Sequence, residues 1–104
     1  MGRNRIFQAQ TRYLEIKMAG IHITTIDANH YQVQLVSNTT TSHNVTVQPD
    51  YAQKLTAGTM STIDLIHQSF EFLLAREANT SILRSFDLSV IARYFPEYER
   101  EMSK

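Results

Sequence analysis

Four histidines, His22, His30, His43 and His67, are the side chains best suited to acid–base work or metal ligation near neutral pH. No two of them form an H-x-x-x-H pair on a helix, and the absence of cysteine leaves no thiolate to complete a zinc set. His22 and His43 could face one another on the solvated side of neighbouring strands, as any two polar strand residues could; surface or turn positions are the expectation for all four. A Ser–His–Asp set can be written from Ser69, His67 and Asp64. All three belong to one helical stretch, however, where that spacing does not converge, and no nucleophile elbow or glycine-rich oxyanion loop accompanies them. Glu97, Glu99 and Glu101 run along a polar tail, away from the apolar cleft that would shift a carboxylate pKa. Three glycines, Gly2, Gly20 and Gly58, are too few for a phosphate-cradling loop. The residues therefore predict no catalytic, metal or cofactor site.

Two non-catalytic chemistries remain. Arg76, Arg84 and Arg93 stand beside helical sequence and offer phosphate contacts. Leu88 to Phe95 reads like the first helix of a helix-turn-helix, but only Glu97 to Lys104 follows Pro96, and three of those eight residues are glutamates. Pairing the Ser61 to Arg76 helix with the Ser81 to Phe86 turn instead gives a second helix that is short and mostly apolar. The other chemistry is protein contact. Phe70, Phe86 and Phe95 fit an inward stripe, whereas Phe72, Tyr94 and Tyr98 miss it and are expected to be partly exposed, which on a small domain marks an interface.

The chain that must position these residues has 104 residues, enough for one domain that folds without disulfides or metal. Ten basic and ten acidic side chains cancel, so bulk charge provides no nucleic-acid footprint. The N-terminus carries Arg3 and Arg5 without an apolar segment behind them, and no run is long enough to cross a bilayer; a cytoplasmic chain without membrane contact is the expectation.

Between Arg12 and Gln48 apolar residues recur at every second position, which predicts strands. Leu14, Ile16 and Met18 mark the first, Ile21 and Ile23 the second, Tyr31, Val33 and Leu35 the third, and Val45 and Val47 the fourth. Ala19-Gly20 and Ala28-Asn29 read as tight turns with Gly or Asn at positive φ. Residues 1–9 lack alternation and read as a flexible tail or an extension of the first strand. After Pro49 the period changes. Pro49 to Leu55 makes a short helix ended by Gly58. Ser61 with Asp64 caps a longer helix, on which Ile63, Ile66, Phe70, Leu73 and Leu74 share one face while Leu65 and Phe72 lie off it. Asn79 or Thr80 caps a turn carrying Ile82, Leu83 and Phe86. Asp87 caps a last helix with Leu88, Ile91, Ala92 and Phe95 in line, stopped by Pro96. Glu97 to Met102 reads as one polar turn on the surface.

Strands first and helices after predict a single α+β domain over 1–104, a four-stranded antiparallel meander covered on one face by the C-terminal helices, with a packed core that leaves no internal volume for substrate. The segment from Val45 to Glu99, most sharply Ser69-Phe70-Glu71-Phe72-Leu73-Leu74, Ser81-Ile82-Leu83, Phe86-Asp87-Leu88, Ile91 and Tyr94-Phe95-Pro96-Glu97-Tyr98, resembles small bacterial proteins of unassigned function. That resemblance implies a bacterial, soluble, stand-alone protein and brings no active-site residues with it. The functional expectation is a non-enzymatic protein-interaction or regulatory module, with a homodimer as one form; the alternative is a small nucleic-acid-associated regulator.

Overall fold

The computed structural model describes residues 20–104. The expected strand over Leu14, Ile16 and Met18 and the tail at 1–9 lie outside those residues. Within them the chain is α+β. Strand β1 (Ile21–Thr25), β2 (His30–Leu35) and β3 (Thr41–Thr46) pair antiparallel in sequence order. The alternation works as the sequence predicts. Tyr31, Val33, Leu35, Val45 and Val47 are buried, while His22, Thr24, Gln32 and Gln34 stay in solvent.

The first hairpin closes differently from the expectation. Among the described residues only Ala57 and Gly58 have positive φ, so Asn29 does not supply a left-handed turn. Asp27 does the work instead: its Oδ1 accepts from the amides of Asn29 and His30 at 2.9 Å each and from His30 Nδ1 at 2.8 Å, an Asx turn. These donors, the Asn29 amide foremost, hold the Asp27 carboxyl below the usual carboxylate range.

Helix α1 (Pro49–Thr56) begins on Pro49, whose missing N–H is an orphan at that position in any case. It ends with Ala57 in the left-handed conformation followed by Gly58 at φ 75°. Helix α2 (Thr62–Leu74) starts at Ser61, whose Oγ accepts from the Asp64 amide at 3.0 Å. A 3₁₀ turn (Asn79–Ser81) leads to β4 (Ser85–Asp87), which pairs parallel with β3. The fourth strand of the sheet is therefore this late segment, and the sheet is mixed, not a pure antiparallel meander. Connectivity allows this direction: α1 and α2 lie between β3 and β4, and parallel neighbours need a crossover connection of that length. Beyond β4, Asp87 caps the 3₁₀ turn Leu88–Val90, accepting from the Ser89 amide at 3.0 Å; α3 (Ile91–Tyr94) continues it, and α4 (Tyr98–Met102) follows.

Helix α2 is buried on two flanks. Ile66, Phe70 and Leu73 pack toward the sheet, and Leu65, Ser69 and Phe72 are buried as well. The second cover is α4. Its Tyr98 is fully buried, its ring lies 5.3 Å from that of Phe72, and Met102 is buried beside it. The expected polar surface turn is thus a third layer. Apolar residues off the main stripe of α2 are there because a second element packs on them, and Ile63 and Leu74, assigned to the inward face, are the ones left partly exposed.

Candidate functional site

After α2 the backbone is pulled to the sheet by three polar anchors. Asn79 Nδ2 donates to Thr39 O at 2.6 Å and to Thr41 Oγ1 at 3.1 Å. His43 Nδ1 lies 2.7 Å from Leu83 O, and the Asn44 amide donates to Arg84 O at 2.8 Å. The turn expected over Ile82, Leu83 and Phe86 is confined to Asn79–Ser81; the chain then bends at Ile82 and Arg84 before it enters β4. Ile82 turns into the core, Leu83 turns out and is 47% exposed, and Phe86 lies opposite Val45 with its ring 6.0 Å from that of Phe70.

Between this segment, the C-terminal end of α2 and α3 lies a groove of about 250 Å³. Leu73, Ile82, Phe86 and Ile91 line it, and Leu83 and Tyr94 stand at it still exposed, Tyr94 by 66%. Its polar lining residues are Glu77 and Ser81. The ion pairs among the described residues are Asp27–His30, His67–Glu71, Arg76–Glu97 and Glu101–Lys104, so Glu77 enters none of them. This concavity opens at the margin of the core. A dry cavity of about 150 Å³ accepts a benzene ring; the groove therefore has room for one large side chain and is smaller than the roughly 300–1,000 Å³ of small-molecule sites.

The aromatic residues expected at an interface divide. Tyr94 is exposed beside the groove, whereas Phe72 and Tyr98 are buried, which corrects their assignment to the surface. Phe72 is covered from three sides: the Phe95 ring at 5.7 Å, the Tyr98 ring and the Arg76 guanidinium, centred 3.5 Å from the Phe72 ring centroid. Arg76 also donates from Nε to Glu97 Oε2 at 3.2 Å and from a guanidinium nitrogen to Phe72 O at 2.9 Å. That arginine is engaged within the fold. Arg84 and Arg93 remain exposed.

The other candidates separate in space. His22 lies on the solvated face of β1 opposite Gln34, with β2 between it and β3. His43 points into the core with no exposure, so the two do not face each other and His43 is not a surface histidine. The shallow polar dip of about 110 Å³ around His22 holds Thr24, Gln32, Gln34 and Ser42, without a carboxylate. Ser69 is buried and donates to Leu65 O at 2.7 Å, while His67 sits 3.7 Å from Glu71 on the outside of α2; Ser69, His67 and Asp64 form no relay. Glu97 serves Arg76, Glu99 accepts from the Tyr51 hydroxyl at 2.8 Å, and Glu101 faces Lys104. Among the described residues no three His, Asp or Glu side chains gather as a metal would require.

The feature that residue reading missed is the buried His43. Its parity with Val45 and Val47 on one strand was the signal, since residues two apart share a face. No protein-family model matches this chain, and neither the curated proteins nor the solved structures contain a match. No helix of the described residues is long and apolar enough to cross a membrane.

Proposed function

We propose that this chain is a non-enzymatic protein-interaction module whose groove takes a large apolar side chain of a partner segment that carries a lysine or arginine close by. One observation carries the reading: an apolar groove of side-chain size keeps Leu83 and Tyr94 in solvent and has in its wall a carboxylate, Glu77, that enters no ion pair among the described residues. Exposed apolar surface flanked by polar groups is what docking sites look like on small domains. The carboxylate favours a cation beside the apolar anchor. A second copy of the chain is one partner this reading admits. Phosphate contact is less well supported, because Arg76 is committed to Phe72 and Glu97.

The test uses two small probes, N-acetyl-phenylalanyl-arginine amide and N-acetyl-phenylalanyl-glutamate amide, titrated into methyl-labelled protein. Shifts are expected at Leu73, Ile82, Leu83 and Ile91, with the arginine probe binding tighter by a factor of about two to five, the size of an exposed charge pair. Leu83→Asp should abolish the shifts and Glu77→Gln should equalise the probes. Scattered shifts, or shifts indifferent to Leu83→Asp, would reject the groove as the docking site.

A further inference from the structure

The buried polar chain behind Leu83 has a single consistent proton arrangement. Leu83 O can only accept, so His43 Nδ1 carries the proton and donates to it at 2.7 Å. In the neutral ring Nε2 is then the acceptor, and the Thr41 hydroxyl, 2.9 Å away, must donate to it. Thr41 Oγ1 in turn accepts from Asn79 Nδ2. Two residues of the sheet, Thr41 and His43, and two of the groove wall, Asn79 and Leu83, are thus joined in one chain that needs the imidazole in its neutral form.

We propose that His43 is a proton-sensitive latch: protonation of its Nε2 frees the Asn79–Arg84 wall from β3 and disassembles the docking groove. The proton comes from solvent and enters as the wall opens. In the closed form a second ring N–H would meet a hydroxyl that is itself donating. Thr41 would have to turn its proton away from the ring, leaving that proton without its present acceptor in a buried setting. An imidazolium would also sit in apolar surroundings. From α2 the ring meets Phe70, centroid to centroid 5.9 Å, and across β2 it faces Val33. The nearby charge is Arg84, which repels a second cation. The titratable residues of α2, Asp64, His67 and Glu71, lie on its outer side, and Asp87 at the end of β4 is occupied capping Ser89. Burial above all, with Arg84, holds the ring below its ordinary pKa, against the opposing pull of the Leu83 carbonyl. The open form titrates near the ordinary value of 6.5, so it binds more protons than the closed form below that pH and is favoured as pH falls.

The consequence for docking rests on the groove reading above, but the latch itself is tested without a partner. Amide hydrogen exchange of the wild-type chain, expressed as protection factors, should show Asn79 to Phe86 opening more readily at pH 5 than at pH 7. The change is bounded at about 25-fold, the limit set by a group of pKa 6.5 that is protonated only when open. Amides of β1, which β2 separates from β3, should change far less. His43→Gln should flatten the pH response. If that variant does not fold, the ring signals of wild-type His43 decide, with a midpoint below 6.5 expected. A wall whose protection is independent of pH, a wall that exchanges only together with the α2 core, or a His43 midpoint at or above 6.5 would each overturn the latch. None of these outcomes bears on the peptide probes, which are read at pH 7.

Discussion

Polar side chains in the interior of this protein act in sets, and Ser69 is the plainest case. It is fully buried, donates to Leu65 O at 2.7 Å and meets the Tyr98 hydroxyl at 2.6 Å; since its own proton is used, Tyr98 must be the donor. Burial raises the Tyr98 hydroxyl well above its ordinary pKa, with the Ser69 contact opposing, so the phenol stays protonated throughout the neutral range. Tyr98→Phe keeps the ring packed on Phe72 and removes only this bond. It should lower stability by about 1–2 kcal/mol, the cost of leaving a buried acceptor short of a donor, measured by urea unfolding with an unchanged m-value. No change would mean that the hydroxyl contact is idle. At this scale the sequence was legible where a residue's parity or helical phase settled its direction, as for Val33, Val45 and Phe70. Tyr98 and Phe72 were not legible, because what buries each of them is the other, and they lie 26 positions apart on separate helices. Phe72 carries the Arg76 guanidinium on its ring as well, a contact that their spacing of four residues at the end of a helix allows and that the reading of Arg76 as a phosphate contact passed over.

The caps and turns of the helical half follow local rules, and one of them is imperfect. Helix α1 ends on Ala57 at φ 52°, a conformation that costs a residue with a Cβ roughly 1–2 kcal/mol. Ala57→Gly should remove that strain, less the extra entropy of glycine in the unfolded chain, for a net gain of about 0.5–1 kcal/mol seen as a raised Tm. A loss of stability would place the helix end elsewhere. Pro49, Ser61 and Asp87 were readable as element starts because each satisfies its own neighbourhood: a missing donor, a hydroxyl on the Asp64 amide, a carboxylate on the Ser89 amide. Strand β4 was not readable. Three residues, Ser85–Asp87, are too few to show a period, and what makes them a strand is the edge of β3 together with the anchors at Asn79 and His43. Short α4 was misplaced for the complementary reason. Its charged residues read as surface, while Tyr98 and Met102, four apart, form the one face that closes on α2.

For the molecule as a whole, the decisive event is the return of the chain from α2 to the sheet as β4. That return gives the sheet its fourth strand among the described residues and brings Leu83, Phe86, Ile91 and Tyr94 together at the margin of the core, around a concavity that the α2 and α3 side chains do not fill. The α+β class was plain from strands preceding helices, but the groove was not, since it exists only once β4 is parallel to β3. The docking groove we propose accordingly rests on other residues than the surplus aromatics: Tyr94 is kept, Phe72 and Tyr98 are buried, and Leu83 and Glu77 are added. The most direct test is selection of displayed random peptides on the full chain at pH 7, followed by binding of the winners to the Leu83→Asp variant. The account predicts a consensus with one large apolar or aromatic residue and a lysine or arginine within a few positions of it, and loss of binding to a variant that unfolds at the wild-type temperature. Selection that yields no consensus, or peptides that bind Leu83→Asp as well as the wild type, would contradict it.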